Sequence, residues 1–157
     1  MYLLDTACIS NAWTKNRNYP RLRARIVEEL PRVYLSVVSI SEYLRLLQQN
    51  IRRQWNASDS ASGYQALFTF LTDLHDYNLL PFTAADEQCY LTIPADLRRS
   101  HPRDCRIAAS AMTRGFQVVT YNVQHFERTG VQVVTWAESN PEDAVPDWYR
   151  PEEESLW

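Results

Sequence analysis

Apolar positions along the chain come in short runs whose periods predict strands exchanging with helices. YLLD (2–5) is a compact apolar run that reads as a buried strand, and a short helix follows it through Trp13. PRLRARIVEEL (20–30) places Leu22, Ile26, Val27 and Leu30 at helical spacing. Pro20 opens that helix, where its missing N–H costs nothing. VYLSVV (33–38) is short and β-rich, so it reads as a strand. A helix capped by Ser39 or Ser41 then runs to about Arg53, with Tyr43, Leu44, Leu46 and Leu47 on its apolar side. NASDSASG (56–63) reads as a polar loop. The helix after it runs to about Asp76, with Leu67, Phe68, Phe70, Leu71 and Leu74 directed inward. NLLPF (78–82) is a strand stopped by Pro81. Thr83 and Asp86 have capping-box spacing for a helix to about Leu97, which Pro94 must bend or interrupt. RRSHP reads as a loop, 103–114 as a helix ending at Gly115, and FQVVT (116–120) as a strand. YNVQHF is a turn or short helix, and VQVVTW (131–136) is the last strand.

This alternation predicts an α/β fold of three α/β/α layers. Its central sheet is mainly parallel, with about four or five strands covered on both faces. A chain of 157 residues accommodates one such core. Residues 1–136 form the expected domain, and 137–157 an acidic tail containing Pro141, Pro146 and Pro151.

Charge sharpens that division. The tail holds seven acids against one base, Arg150, so about −6 of the net −3 lies there and residues 1–136 carry about +3. Lys15 is the only lysine; the other bases are arginines, whose planar fork suits phosphate oxygens. Trp148, Tyr149 and Trp157 punctuate the acidic segment, so the tail is expected either to dock near the arginines and compete with their anionic ligands or to stay loosely ordered. Three cysteines without regular spacing (Cys8, Cys89 and Cys105) argue against a disulfide framework and for a reducing cytoplasm. No apolar run reaches the ~20 residues that span a bilayer. No signal peptide is expected from the N-terminal pattern.

Asp5, Glu42 and Asp104 each fall where a predicted strand hands over to a helix. Strands side by side in a parallel sheet bring their carboxyl ends to one crevice. Three anions there repel unless a cation joins them, and Mg²⁺ or Mn²⁺ is the ion that carboxylate oxygens prefer. The residues therefore point to a divalent-metal enzyme acting on phosphates.

YLLDT, SVVSISEYLRL, DCRIAASAMTRGFQVVTYNVQHFER and the closing VQVVTW resemble, in this order, the PIN-domain ribonucleases. Among these the likeness is to the VapC-like toxins of bacterial toxin–antitoxin pairs, over roughly residues 1–136. The resemblance implies metal-binding acids at Asp5, Glu42 and Asp104, with Asn122 at a fourth catalytic position. His125 stands where relatives often carry a second acid, so three carboxylates imply one firmly held ion. Water attacking a phosphodiester in line would leave a 5′-phosphate and a 3′-hydroxyl. Thr6, Ser39 and Thr120 are expected either to orient the carboxylates or to cap strand ends. Arg98, Arg99 and Arg103 would steer RNA phosphates, with Tyr121 and His125 stacking on bases. Each of these has a plainer role open to it in a solvated loop or ordinary packing. Cys8 and Cys105 are expected in the core, and His75 and His101 look isolated.

The resemblance further implies a homodimer and a cognate antitoxin, with helices 39–53 and 61–76 as candidate grooves for that partner. Two other readings stay open: a catalytically weak PIN-like RNA-binding or scaffold module, and an unrelated α/β metal-dependent phosphatase. Against the phosphatase, no D-x-D follows the first strand and no Gly-rich phosphate loop appears.

Overall fold

The computed structural model describes residues 1–13, 20–55 and 60–136. The tail 137–157, with its expected domain boundary and aromatic anchors, lies outside the described residues, as does segment 56–59.

Five strands form one sheet: β1 (Tyr2–Leu4), β2 (Val33–Ser36), β3 (Asn78–Leu80), β4 (Gln117–Val119) and β5 (Val133–Val134). Their order is β3-β2-β1-β4-β5, and every pairing is parallel. The helices are α1 (Thr6–Trp13), α2 (Pro20–Glu28), α3 (Val37–Trp55), α4 (Ser60–Asp73), α5 (Ala84–Thr92), α6 (Ala95–Ser100), α7 (Pro102–Met112) and α8 (Val123–Glu127). Alternate residues of each central strand face opposite layers. Leu3 and Val118 join a core with Tyr90, Ile107 and Phe126 from α5, α7 and α8. Leu4, Leu35 and Val119 join a second core with Ile9, Ile26, Tyr43 and Phe70 from α1 to α4. The expected three layers and parallel sheet are present.

Local differences have local causes. The helix expected from Ser39 begins earlier, at Val37, because the Ser36 hydroxyl accepts the Ser39 backbone N–H at 2.9 Å and caps it. Ser60–Gly63, expected in a loop, open α4 instead. Gly63 is needed there: a Cβ would lie 2.7 Å from the Ile51 side chain where α3 and α4 cross. RRSHP is no loop: Arg98–Ser100 close α6 and Pro102 starts α7. Pro94 does interrupt the helix, separating α5 from α6. Val27, Phe68 and Leu71, expected inward, are exposed.

The capping box at Thr83 and Asp86 is formed and extended. Asp86 is fully buried, and its carboxylate also accepts from Thr113 and from both Nη atoms of Arg114. Burial opposes its ionisation, but Arg114, Thr113 and Thr83 prevail and hold its pKa well below the usual carboxylate range. A depressed acid stabilises the fold fully above its unfolded pKa of about 4, and loses that contribution only as pH falls further. Asp86→Ala leaves Arg114 without its buried partner. It should cost about 3–5 kcal/mol at pH 7 by urea denaturation, with the deficit shrinking in strong acid.

Candidate metal centre

Strand order changes direction between β1 and β4, so their carboxyl ends flank a crevice. Asp5 follows β1 directly and precedes the first residue of α1. Its Oδ1 accepts the Thr6 backbone N–H at 2.6 Å, and its Oδ2 accepts the Thr120 hydroxyl at 2.9 Å. Thr120 follows β4, so this bond ties the two walls of the crevice.

Glu42 reaches the same place from the second turn of α3. Its Oε2 accepts the Thr6 hydroxyl at 2.7 Å, and its Oε1 accepts from Arg103 at 3.1 Å. Asp104 comes from the first turn of α7. It follows another helix, α6, rather than the expected strand. The Asp104 Oδ2 lies 3.0 Å from His125 Nδ1 and 3.9 Å from His101 Nδ1. The two imidazoles stack with centroids 4.2 Å apart.

The three acids lie near enough for Asp5 to feel the charge of the other two. Burial, then the charges of Asp104 and Glu42, push the Asp5 carboxyl up to about 8. The bonds from Thr120 and Thr6 pull the other way and are outweighed. A carboxyl with this surplus of negative neighbours fits a hard divalent cation, and the oxygen donors suit Mg²⁺ or Mn²⁺.

The remaining expected residues divide. Thr6 and Thr120 touch carboxylates directly, whereas Ser39 donates to the Leu4 carbonyl at 3.2 Å and braces the backbone before Asp5. Asn122 follows Thr120 closely: its backbone N–H donates to the Thr120 hydroxyl at 2.9 Å, and it stands at the N-terminal cap position of α8 without a side-chain cap bond. Among the described hydrogen bonds its side chain makes none to the three acids. Arg103 is brought in, but onto Glu42. Arg98 donates to the Ile93 carbonyl and lies over the Tyr90 ring, while Arg99 is exposed. Tyr121 packs against the core on the α1–α4 face.

Cys8 and Cys105 are core residues. Burial, with Asp5 adding to it, raises the Cys8 thiol, and burial pushes Cys105 up to about 11, so both stay protonated thiols. His101 is not isolated, as its sequence neighbourhood suggested. Its position three residues before Asp104, on one helical turn, was the available signal.

The PIN-domain family profile matches residues 2–132. Among solved structures, DNA-bound VapBC from Salmonella typhimurium matches at 26% identity with a TM-score of 0.66, covering 87% of this chain and 98% of that one. FitAcB from Neisseria gonorrhoeae matches at 24% identity and TM-score 0.65, covering 90% and 99%. VapBC2 from Rickettsia felis, bound to a promoter DNA fragment, matches at 18% and 0.65, covering 87% and 98%. No curated protein matches the chain.

An acid whose folded pKa lies above its unfolded value keeps an extra proton when folded. Stability of the metal-free protein should therefore fall as pH rises from about 4 towards 8. Asp5→Asn removes that penalty. In EDTA at pH 8 it should melt a few degrees above wild type, on the order of 1–2 kcal/mol, with the gap closing near pH 4 by differential scanning calorimetry.

Proposed function

Because the chain belongs to the PIN-domain family, we propose that it is a metal-dependent endoribonuclease, the toxin of a toxin–antitoxin pair. One observation carries this reading: Asp5, Glu42 and Asp104 come from three separate elements, and the charges of Glu42 and Asp104 both act on the buried Asp5 carboxyl beside the switch point of the sheet. Family membership removes the unrelated phosphatase from consideration.

Asp5 and Asp104 would hold Mg²⁺ or Mn²⁺, with Glu42 as a further ligand or as the group that orients the attacking water. An ion held by these acids would supply positive charge against the phosphoryl oxygens and make the attacking water more acidic. The Thr6 and Thr120 hydroxyls hold Glu42 and Asp5 in place. Asn122, at the rim, donates to a substrate phosphate oxygen. Water attacks phosphorus in line and the P–O3′ bond breaks. The 3′ fragment keeps the 5′-phosphate, and the departing oxygen takes a proton to become a 3′-hydroxyl. The 2′-hydroxyl takes no part, so preference for RNA resides in binding. Arg98 and Arg99 would supply charge to the RNA phosphates and Tyr121 a ring for a base. Arg103 must exchange Glu42 for a phosphate to take part.

Tyr64, Phe68 and Leu71 are all exposed and follow one another at i, i+4 and i+7 on α4. We assign this stripe to an antitoxin helix. No helix among the described residues is long and apolar enough to cross a membrane, and Cys8, Cys89 and Cys105 are free. The family likeness is what supports reading the chain as a cytoplasmic homodimer.

A second reading, a catalytically weak RNA-binding or scaffold module, draws on the same site. Arg103 already neutralises Glu42, and His125 occupies Asp104. Incubation with total cellular RNA separates the two. Wild type should make discrete cuts with Mg²⁺ or Mn²⁺ and none with EDTA, and Asp5→Ala should lose at least ~100-fold in rate. Binding without metal-dependent cutting supports the scaffold instead.

A further inference from the structure

His101, Asp104 and His125 each offer one ligand atom, and these atoms lie within 4.8 Å of one another. We propose that they form a second metal site, selective for a borderline divalent ion such as Zn²⁺, which shares Asp104 with the oxygen-lined crevice and competes with Mg²⁺ for it.

The argument begins with donor chemistry. Two imidazole nitrogens and one carboxylate oxygen are a ligand set that Zn²⁺ accepts with water in a fourth position. Mg²⁺ favours oxygen and gains little from imidazole, so it is directed to Asp5 and Glu42. Divalent affinity at nitrogen sites rises from Mn²⁺ to Zn²⁺, which separates the two sites by metal.

Geometry supplies the second part. His101 precedes α7 and Asp104 lies in its first turn, so one helical turn sets their spacing. His125 arrives from α8, which packs against α7. Its ring stacks on His101 with planes 26° apart, and both Nδ1 atoms approach the same carboxylate oxygen. An Asp–His hydrogen bond alone would not need the second ring. The three side chains are 33%, 21% and 41% exposed, enough for an ion to enter and keep a water. Binding places each Nδ1 lone pair on the ion and moves the ring proton to Nε2 or to solvent.

Shared use of Asp104 gives the site its consequence. An ion held by the histidines draws that carboxylate away from the Asp5 side, so each metal weakens the other's binding. Transition-metal load then controls whether the crevice accepts Mg²⁺. That consequence rests on the crevice being a Mg²⁺ site, but the zinc site itself does not.

The test is a titration of the metal-free full-length protein with Zn²⁺ alone, followed by calorimetry, with Co²⁺ absorbance as a report of nitrogen ligation. One equivalent should bind, and His101→Ala and His125→Ala should each weaken it at least ~10-fold. His101→Gln, which keeps size and polarity, should weaken it equally if ligation is the cause. Asp5→Asn should leave Zn²⁺ affinity within about 2-fold while abolishing Mg²⁺ binding. Saturating Zn²⁺ should weaken Mg²⁺ at least ~10-fold in wild type, and that competition should disappear in His101→Gln. Zn²⁺ affinity that is unchanged in the histidine variants, or lost with Asp5→Asn, overturns the proposal. Failure of Mg²⁺ to bind at all, with zinc ligation intact, counts instead against the nuclease reading.

Discussion

Mutual repulsion of Glu42 and Asp104 with the buried carboxyl of Asp5 is the constraint around which the rest of this structure is arranged. No hydrophobic gain explains three acids meeting at the end of a sheet. The strand order explains how they can meet, because the chain adds β2 and β3 on one side of β1 and then crosses to place β4 on its other side, opening a crevice between β1 and β4. Thr120 and the Thr6 N–H fix the Asp5 carboxylate, the Thr6 hydroxyl fixes Glu42, and the first turn of α7 presents Asp104. These bonds favour the anion at Asp5 but do not overcome burial and its neighbours. The fold thus holds geometry that only an added positive charge completes.

Two side chains moderate that charge. Arg103 reaches Glu42 from the residue just before Asp104, and His125 closes on Asp104 from α8. Both are partly exposed, whereas Asp5 is nearly inaccessible. A cation entering the crevice must share Glu42 with the guanidinium and Asp104 with the imidazole. Arg103 is therefore a competitor for the site as well as a phosphate contact. The same position explains how one carboxylate, Asp104, belongs to two ligand sets of different chemistry.

Much of this was legible in the chain. Short apolar runs separated by helical periods were enough to place all five parallel strands. The acids Asp5, Glu42 and Asp104 stood out because each lay near an element boundary. Thr83 and Asp86 announced their capping box by spacing alone. What escaped was set by packing between distant segments. Phe68 and Leu71 share the helical period of buried residues, yet α3 covers only the side of α4 that carries Gly63 and Phe70. Ser36, not Ser39, caps α3 because the strand ends two residues early. The Asp86–Arg114 pair joins residues 28 apart, and no local pattern connects them. The stacking of His101 on His125 depends on α8 folding back against α7, which nothing in the sequence around either histidine specifies.

The central claim is that a hard cation relieves the charge of the crevice, and proton release on Mg²⁺ binding measures that relief directly. Calorimetric titrations at pH 7, in two buffers of different ionisation enthalpy, should show about one proton leaving wild type for each ion bound, the proton held by Asp5. Mg²⁺ binding with no proton released, or with undiminished release from the Asp5→Asn protein, would contradict the account.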